Sequence, residues 1–430
     1  MTQKNNDDLT FRSSSYFKYM IFILILVQML DTYTGFYNTV IPSKVVEEFL
    51  SDYSQNVANS IFAFCIAIAS LGSYVAFLVW YSADRIGRKF LLVVTIFGLA
   101  LSSLGILFSR SIVEYTIYRF VLTIFAASDI WLIYINEESP PEKKGMFTNI
   151  ILMGGCIGAV LMPVFRAIFI YEGAPVGAWR GMTYFSIALG IPLGILVAFT
   201  IKETSKFQEV KQNRPSTKEK TNMMKKNLQT IFKSDRRMAY IVILFTVFIW
   251  ALNYIFLTLG ELFIAQSPNL REGDINIVVT LMSLAVIAGF GVTAILADKI
   301  GRKPLLYLYC SLFFIGSILV ITGVEMPGIA LIIVCLGTSM MNLAFWGLWV
   351  LLSIITIELI PTDSRGTGTG LRGIISAIGQ TLGLILAGTI TYFYSLNVAF
   401  MLFGILILIP MPLIYKFVTE TKGIDLSEIK

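Results

Sequence analysis

Asp31, Arg119 and Asp129 each lie inside a long apolar stretch, where a charge costs at least ~2.5 kcal/mol at bilayer depth. Such residues need a reason to be there. A carboxylate facing a guanidinium can take up and release a proton as water access alternates, which is the chemistry this set offers; a static ion pair holding helices together is the plainer reading. Asp129 follows Arg119 by ten residues, about 1000 degrees around a helix and so about 80 degrees off after whole turns, and it shares only part of that face. The chain has no histidine, which removes the commonest proton acceptor at neutral pH and most zinc chemistry, so proton coupling falls to carboxylates.

Other residues bound the function by what they lack. Cys65, Cys156, Cys310 and Cys335 all sit in apolar runs without metal-ligand spacing and read as inert buried thiols. No nucleophile has a base beside it, no metal cluster is spelled out, and no G-x-x-x-x-G-K-[ST] phosphate loop occurs, so neither an enzyme, a cofactor nor ATP drive is supported. The polar and aromatic residues that could line a cavity are Tyr33, Tyr37, Asn38, Asn253, Tyr254, Asn342, Trp346, Trp349 and Gln380. Aromatic walls with a few amides suit a small organic solute, although with 13% aromatics any one of them can equally face lipid or pack. Glu261 and Arg166 lie nearer span ends, where snorkelling, an outer gate and solute contact are all open readings.

Charged residues outside the apolar runs repeat. Ala83-Asp84-Arg85-Ile86-Gly87-Arg88-Lys89 returns as Ala297-Asp298-Lys299-Ile300-Gly301-Arg302-Lys303, and Glu137-x-x-Pro140-x-x-x-Lys144-Gly145 returns as Glu358-x-x-Pro361-x-x-x-Arg365-Gly366. The intervals, 298 minus 84 (214) and 358 minus 137 (221), are each about half the chain, which marks an internal duplication. A helix N-terminus favours an anion, so Asp84 is expected to cap the eleventh span near Thr367 to Gly370, and Asp298 its counterpart near Met146 to Thr148. Arg88 and Arg302 can pair with Glu137 and Glu358, with Glu203 and Glu420 close enough to join. Such pairs are individually weak at a rim; together they either latch one side of the molecule or only fix loop shape.

These residues need a scaffold that crosses a bilayer. With 56% hydrophobic and 14% charged residues, the chain carries about half the charge of a soluble protein. Counting ~20 apolar residues per helix gives twelve spans, from about 16–41 to 396–417. Basic clusters fall after even-numbered spans and acids on the other side, which places both termini in the cytoplasm of a multi-pass cell-membrane protein. The net charge of +6 therefore reports orientation rather than nucleic-acid binding. Residues 1–201 form one six-helix bundle, 202–237 a basic cytoplasmic linker, and 238–430 a second bundle. The linker reads as solvated chain, with short amphipathic helices on anionic lipid as the sharper alternative. Glycines such as Gly154, Gly155, Gly158, Gly289, Gly291, Gly379, Gly383 and Gly388 are expected to let helices approach closely.

The two charged loops resemble the signature loop of the major facilitator superfamily, G-x-x-x-D-[RK]-x-G-R-[RK], with Trp80 and Ala294 at its first position. The Glu137 and Glu358 elements are similar to those of its sugar-porter and organic-ion-porter branch, and Glu203-Thr204-Ser205-Lys206 and Glu420-Thr421-Lys422-Gly423 to P-E-S-P-R and P-E-T-K-G elements without the Pro. The seventh span lacks the paired glutamines of sugar porters, and Ser353 stands where they carry Trp. Asp31 matches the first Asp of the D-G-[YF]-D element of proton-coupled organic-acid porters; a second register sets Tyr37-Asn38-Thr39 against G-Y-D-T and puts Asn38 at the proton site. Arg119 resembles an Arg that relatives keep facing a first-span carboxylate. The resemblance implies an all-α fold of twelve helices in two pseudo-symmetric six-helix bundles. It also implies alternating access around a midplane site, and a monomer that carries an organic acid, organic ion or sugar-like solute with protons. The alternatives are a proton-independent uniporter or exporter, and a non-transporting receptor or sensor.

Overall fold

The computed structural model describes residues 15–77, 86–128, 130–140, 143–204, 207 and 217–422, with side chains from 222 onward in the last stretch. Asp84, Arg85 and Asp129, together with the linker cations Lys206, Lys211 and Arg214, lie outside the described residues. Helix is the only regular structure among those described, as expected where backbone groups must be satisfied within each segment.

Twelve helices are long and apolar enough to cross a membrane. They are Ser15–Thr39, Gln55–Phe77, Arg88–Phe108, Ile112–Glu138, Lys144–Phe169 and Ala178–Thr200 in the first half. Arg237–Thr258, Glu272–Ile300, Arg302–Gly323, Ala330–Leu359, Thr362–Phe393 and Leu396–Phe417 follow in the second. By contacts the chain divides into two compact units. One comprises Met1–Asn38, Ile68–Ile170 and Ala174–Arg214; the other comprises Thr39–Ala67, Tyr171–Gly173 and Pro215–Lys430.

Each unit is built on the same helix pairings. In the first, span one packs on span five and span three on span six; in the second, span seven packs on span eleven and span nine on span twelve. Small residues make the close approaches that lipid-embedded helices need. A Cβ on Gly158 would lie 2.4 Å from the Met29 carbonyl oxygen, and one on Gly154 2.6 Å from that of Ile25. In the second unit a Cβ on Gly383 would lie 2.4 Å from the Leu252 carbonyl oxygen, and one on Gly379 2.8 Å from that of Phe248. Gly291 has nothing within 4 Å of such a Cβ, so its place in an apparent glycine motif carries no packing duty.

The linker corrects one expectation. Thr217–Lys233 is helical and is not simply solvated chain: Ile231 is buried against Tyr240 and Ile360, and Asn227 Nδ2 donates to Thr367 Oγ1 at 3.1 Å. This seats the basic helix on the start of the eleventh span.

Gly158→Ala is expected to lose about 1–3 kcal/mol, because the methyl must push two backbones apart, whereas Gly291→Ala should leave stability unchanged. Thermal unfolding of the two purified variants in detergent compares them directly.

Candidate functional site

At the end of each unit that carries the repeated loop, four residues form the same closed cluster. Arg88 donates from Nε and Nη2 to Glu137 Oε1 at 3.2 and 3.0 Å, and Thr204 Oγ1 donates to Glu137 Oε2 at 2.5 Å. Glu203 Oε1 accepts the backbone N–H groups of Arg88 and Lys89 at 2.9 and 3.1 Å, which begin the third span. In the second unit Arg302 donates to Glu358 Oε1 at 3.1 and 2.9 Å, and Thr421 to Glu358 Oε2 at 2.5 Å. Glu420 accepts from the backbone of Arg302 and Lys303 at 2.8 and 3.0 Å. The carboxylates at 203 and 420 thus cap helices whose first N–H groups have no other partner within the helix.

This arrangement explains the glycine in each loop. Gly87 and Gly301 have φ of 114° and 97°, a region that residues with a Cβ avoid. A Cβ at either would also meet Glu203 Oε2 or Glu420 Oε2 at 2.6 Å. Burial raises the Glu420 pKa and the backbone N–H groups of Arg302, Lys303, Lys422 and Thr421 lower it more, leaving it below the ordinary carboxylate value. Asp298, at the end of the eighth span, pairs with Arg302 Nη1 at the start of the ninth at 2.9 Å and is largely exposed, so the partner seen is this arginine rather than the helix start near Met146 to Thr148. Arg365 opens the helix Arg365–Phe393.

The intramembrane residues of the first unit do not form the set expected from sequence. Arg119 is 6% exposed, yet its Nη1 has no hydrogen-bond partner and no described carboxylate pairs with it. Asp31 is partly buried on the first span, and Asp129, the third member of the expected set, lies outside the described residues. The neighbour of Arg119 is Tyr37, whose hydroxyl also lies beside Ser103 and Asn38. Asn38 Oδ1 accepts from Tyr115 at 3.3 Å, and its Nδ2 reaches back to the Thr34 carbonyl at 3.5 Å. Tyr37 thus stands between the amide of Asn38 and the guanidinium of Arg119. Tyr33 is a packing residue: it is fully buried, donates to the Met182 carbonyl at 2.8 Å, and is walled by Tyr37, Phe165 and Phe185. Arg166 is wholly buried, which rules out snorkelling.

In the second unit Asn253 is buried, with Nδ2 on the Ile249 carbonyl at 3.0 Å and Oδ1 unpartnered; Tyr254 is the next residue and partly buried. Asn342 bonds the Thr338 carbonyl at 2.9 Å. Trp346 and Trp349 form an aromatic cluster with Phe290, and Trp349 stays 39% exposed. Gln380 Nε2 reaches Ser376 Oγ at 3.4 Å. Sequence reasoning missed Arg372, seven residues into the eleventh helix, although a cation in an apolar span was a readable signal. Its Nη1 donates to Ser353 Oγ at 2.5 Å.

The opposite end of the second unit holds contacts that no motif announced. Glu261, 1% exposed, accepts from the Ser43 N–H at 2.8 Å and the Ser43 hydroxyl at 2.6 Å, so it does not snorkel either. Lys44 bridges Glu47 at 3.0 Å and Glu272 at 2.6 Å; burial works against its charge, but the two carboxylates outweigh it and hold its pKa above the ordinary lysine value. Asn59 and Gln266 exchange two hydrogen bonds, and Ser60 donates to the Gly388 carbonyl at 2.8 Å. A cavity of about 320 Å³ lies among Lys44, Glu47, Asn59, Gln266 and Glu272.

The family model of the Major Facilitator Superfamily matches residues 20–354 and again 243–428. The chain belongs to the Major Facilitator Superfamily. Membership makes it a multi-pass membrane transporter rather than an enzyme. A Bacillus subtilis (strain 168) protein named as a niacin/nicotinamide transporter is 25% identical over 82% of this chain and 84% of its own length. A glucose transporter of Staphylococcus epidermidis is 22% identical over 81% of this chain and 83% of its own. Among solved structures, a D-xylose-proton symporter superposes with a TM-score of 0.76 at 18% identity, covering 95% of this chain and 100% of that one; at that identity the likeness concerns the fold.

Removing Arg302 from this transporter as Arg302→Ala strands the mostly buried Glu358 carboxylate and should cost about 2 kcal/mol or more, read as a lowered unfolding temperature. Glu420 gives a pH test. Because its folded-state pKa lies below the unfolded value near 4.5, its contribution is complete above that value and is lost as pH falls through the folded one. Glu420→Gln should lower the plateau of a stability–pH curve at neutral and alkaline pH and flatten the fall on its acid side.

Proposed function

We propose that this transporter is a secondary carrier of a small organic acid, moved by alternating access between the two six-helix repeats, 1–201 and 238–430, joined by 202–237. The observation that carries the reading is Arg119: a buried guanidinium without a carboxylate partner among the described residues is an unfavourable arrangement that an anionic solute would relieve. The relative named for niacin, whose acid form is a flat carboxylate, supports the same class, and the departures from the sugar-porter pattern in the seventh span and at Ser353 weigh against a sugar. In this reading Tyr37 and Asn38 flank the Arg119 anchor. Asn253, Tyr254, Asn342, Trp346, Trp349 and Gln380 contribute solute contacts from the second repeat, and the motif clusters stiffen the end of each unit that faces the cytoplasm with the termini. The protein works as a monomer in the cell membrane, with no nucleic acid or cofactor required.

Proton symport through Asp31 is the drive we favour, since with no histidine in the chain a partly buried carboxylate is the group able to load and unload a proton across the cycle. A specific observation supports the second reading, proton-independent transport: the described groups around Tyr37, the residue beside Arg119, are the Ser103 hydroxyl and the Asn38 amide, which do not titrate.

Two measurements in proteoliposomes separate these. Nicotinate uptake should fall at least tenfold in Arg119→Gln with nicotinamide handling little changed; equal loss of both, or of neither, would remove the anion reading. An imposed inward proton gradient should drive accumulation in the wild type. Asp31→Asn should abolish that accumulation and spare solute exchange, whereas gradient-independent wild-type uptake establishes the uniport reading.

A further inference from the structure

A second intramembrane arginine has no carboxylate partner among the described residues. Arg372 begins the third turn of the helix Arg365–Phe393, about 10 Å from the end that carries the repeated loops. It is partly buried, its Nε has no hydrogen-bond partner, and its one hydrogen-bond partner among the described residues is the Ser353 hydroxyl at 2.5 Å. Among the described residues no carboxylate shares this setting: the titratable neighbour is Tyr240, whose hydroxyl is already spent on the Gly368 carbonyl at 2.9 Å. A guanidinium presents five donors in a fixed fork suited to a carboxylate, and here most of the fork is unused.

The residue that holds Arg372 also ties it to an aromatic surface. Ser353 Oγ donates to the Trp349 carbonyl at 2.7 Å while accepting from Arg372, so the guanidinium is fixed one helical turn from the Trp349 side chain. Trp349 is exposed over 39% of its surface, and Trp346 and Phe290 back it with ring centroids 6.2 and 6.0 Å away. Trp346 itself lies 5.7 Å from Phe290. On the eleventh helix Ser376 and Gln380 follow Arg372 at intervals of four residues, which puts all three on one face. An anion anchor beside an indole platform fits a flat ring that bears a carboxylate, the ring lying on the aromatic surface and the carboxylate in the fork.

We propose that Arg372, oriented by Ser353, binds the carboxylate of a flat aromatic acid at the motif-bearing side of the transport path, with Trp349 taking the ring. This rests on the organic-acid reading above and adds to it a residue, a ring chemistry and a place in the cycle.

The test uses full-length purified protein and two matched pairs of probes, nicotinate with nicotinamide and benzoate with benzamide, with binding read by tryptophan fluorescence. The wild type should bind each acid at least tenfold more tightly than its amide. Arg372→Gln should bring the acids down to the affinity of the amides and leave the amides unchanged, Arg372→Lys should keep part of the preference, and Ser353→Ala should weaken the acids two- to fivefold. Trp349→Leu should weaken acid and amide alike. If Arg372→Gln does not fold, the Lys and Ser353→Ala variants carry the same comparison, and unchanged acid affinity in both overturns the proposal. A wild type without acid preference, or without binding to either pair, overturns both this proposal and the organic-acid reading. Loss of the preference in Arg119→Gln but not in Arg372→Gln leaves the organic-acid reading standing and overturns this proposal alone.

Discussion

A carboxylate that accepts the first backbone N–H groups of a helix, while the arginine on that same turn reaches a second carboxylate, is the interaction on which the motif-bearing end of each unit depends. Every residue type in the repeated motifs follows from it. Glu203 and Glu420 take N–H groups that would otherwise lack partners, Gly87 and Gly301 make room for them with backbone dihedrals that suit glycine, and Arg88 and Arg302 extend across to Glu137 and Glu358. Thr204 and Thr421 satisfy the remaining oxygen of those glutamates. Removing any member leaves a largely buried polar atom unsatisfied, so the cluster holds or fails as a unit.

The membrane interior is governed by the opposite circumstance. Among the described residues Arg119 and Arg372 are charges whose partners are not carboxylates, and the neutral groups beside them, Tyr37 for the first and Ser353 and Tyr240 for the second, do not neutralise a guanidinium. Positive charge held this way in a low-dielectric setting favours an anion over its neutral analogue. The motif-bearing end of each unit is thus tied by internal charge pairs, while the interior is left with charge to be matched by something else.

How much of this could be read from the residues depended on whether the signal was local. The twelve spans were legible because a bilayer imposes a minimum apolar length, and the Arg88–Glu137 and Arg302–Glu358 pairings because duplication printed them twice. Thr204 and Thr421 were visible as a repeated Glu-Thr pair, but nothing in the spacing said that a hydroxyl would close the second carboxylate. Asp31 and Arg119 looked like partners because both are charges in apolar helices; which residue meets which is set by helix rotation, and among the described residues the neighbour of the arginine is Tyr37. Tyr33 carries the same polar handle as Tyr37, yet its hydroxyl is consumed by the Met182 carbonyl. The contacts of Ser43 with Glu261 and of Ser60 with Gly388 join residues more than 200 positions apart and had no periodic or motif signature to betray them.

Each of the two motif clusters closes within one unit: Arg88, Glu137, Glu203 and Thr204 belong to the first, and Arg302, Glu358, Glu420 and Thr421 to the second. An interaction whose partners travel together has the same energy before and after a rigid displacement, so it cancels from the equilibrium between conformations however strong it is. The most recognisable residues in the chain therefore set how faithfully each body keeps its shape, and they are silent about which conformation prevails. That balance is left to contacts that are made in one state and absent in another, the kind a sequence motif is least able to record.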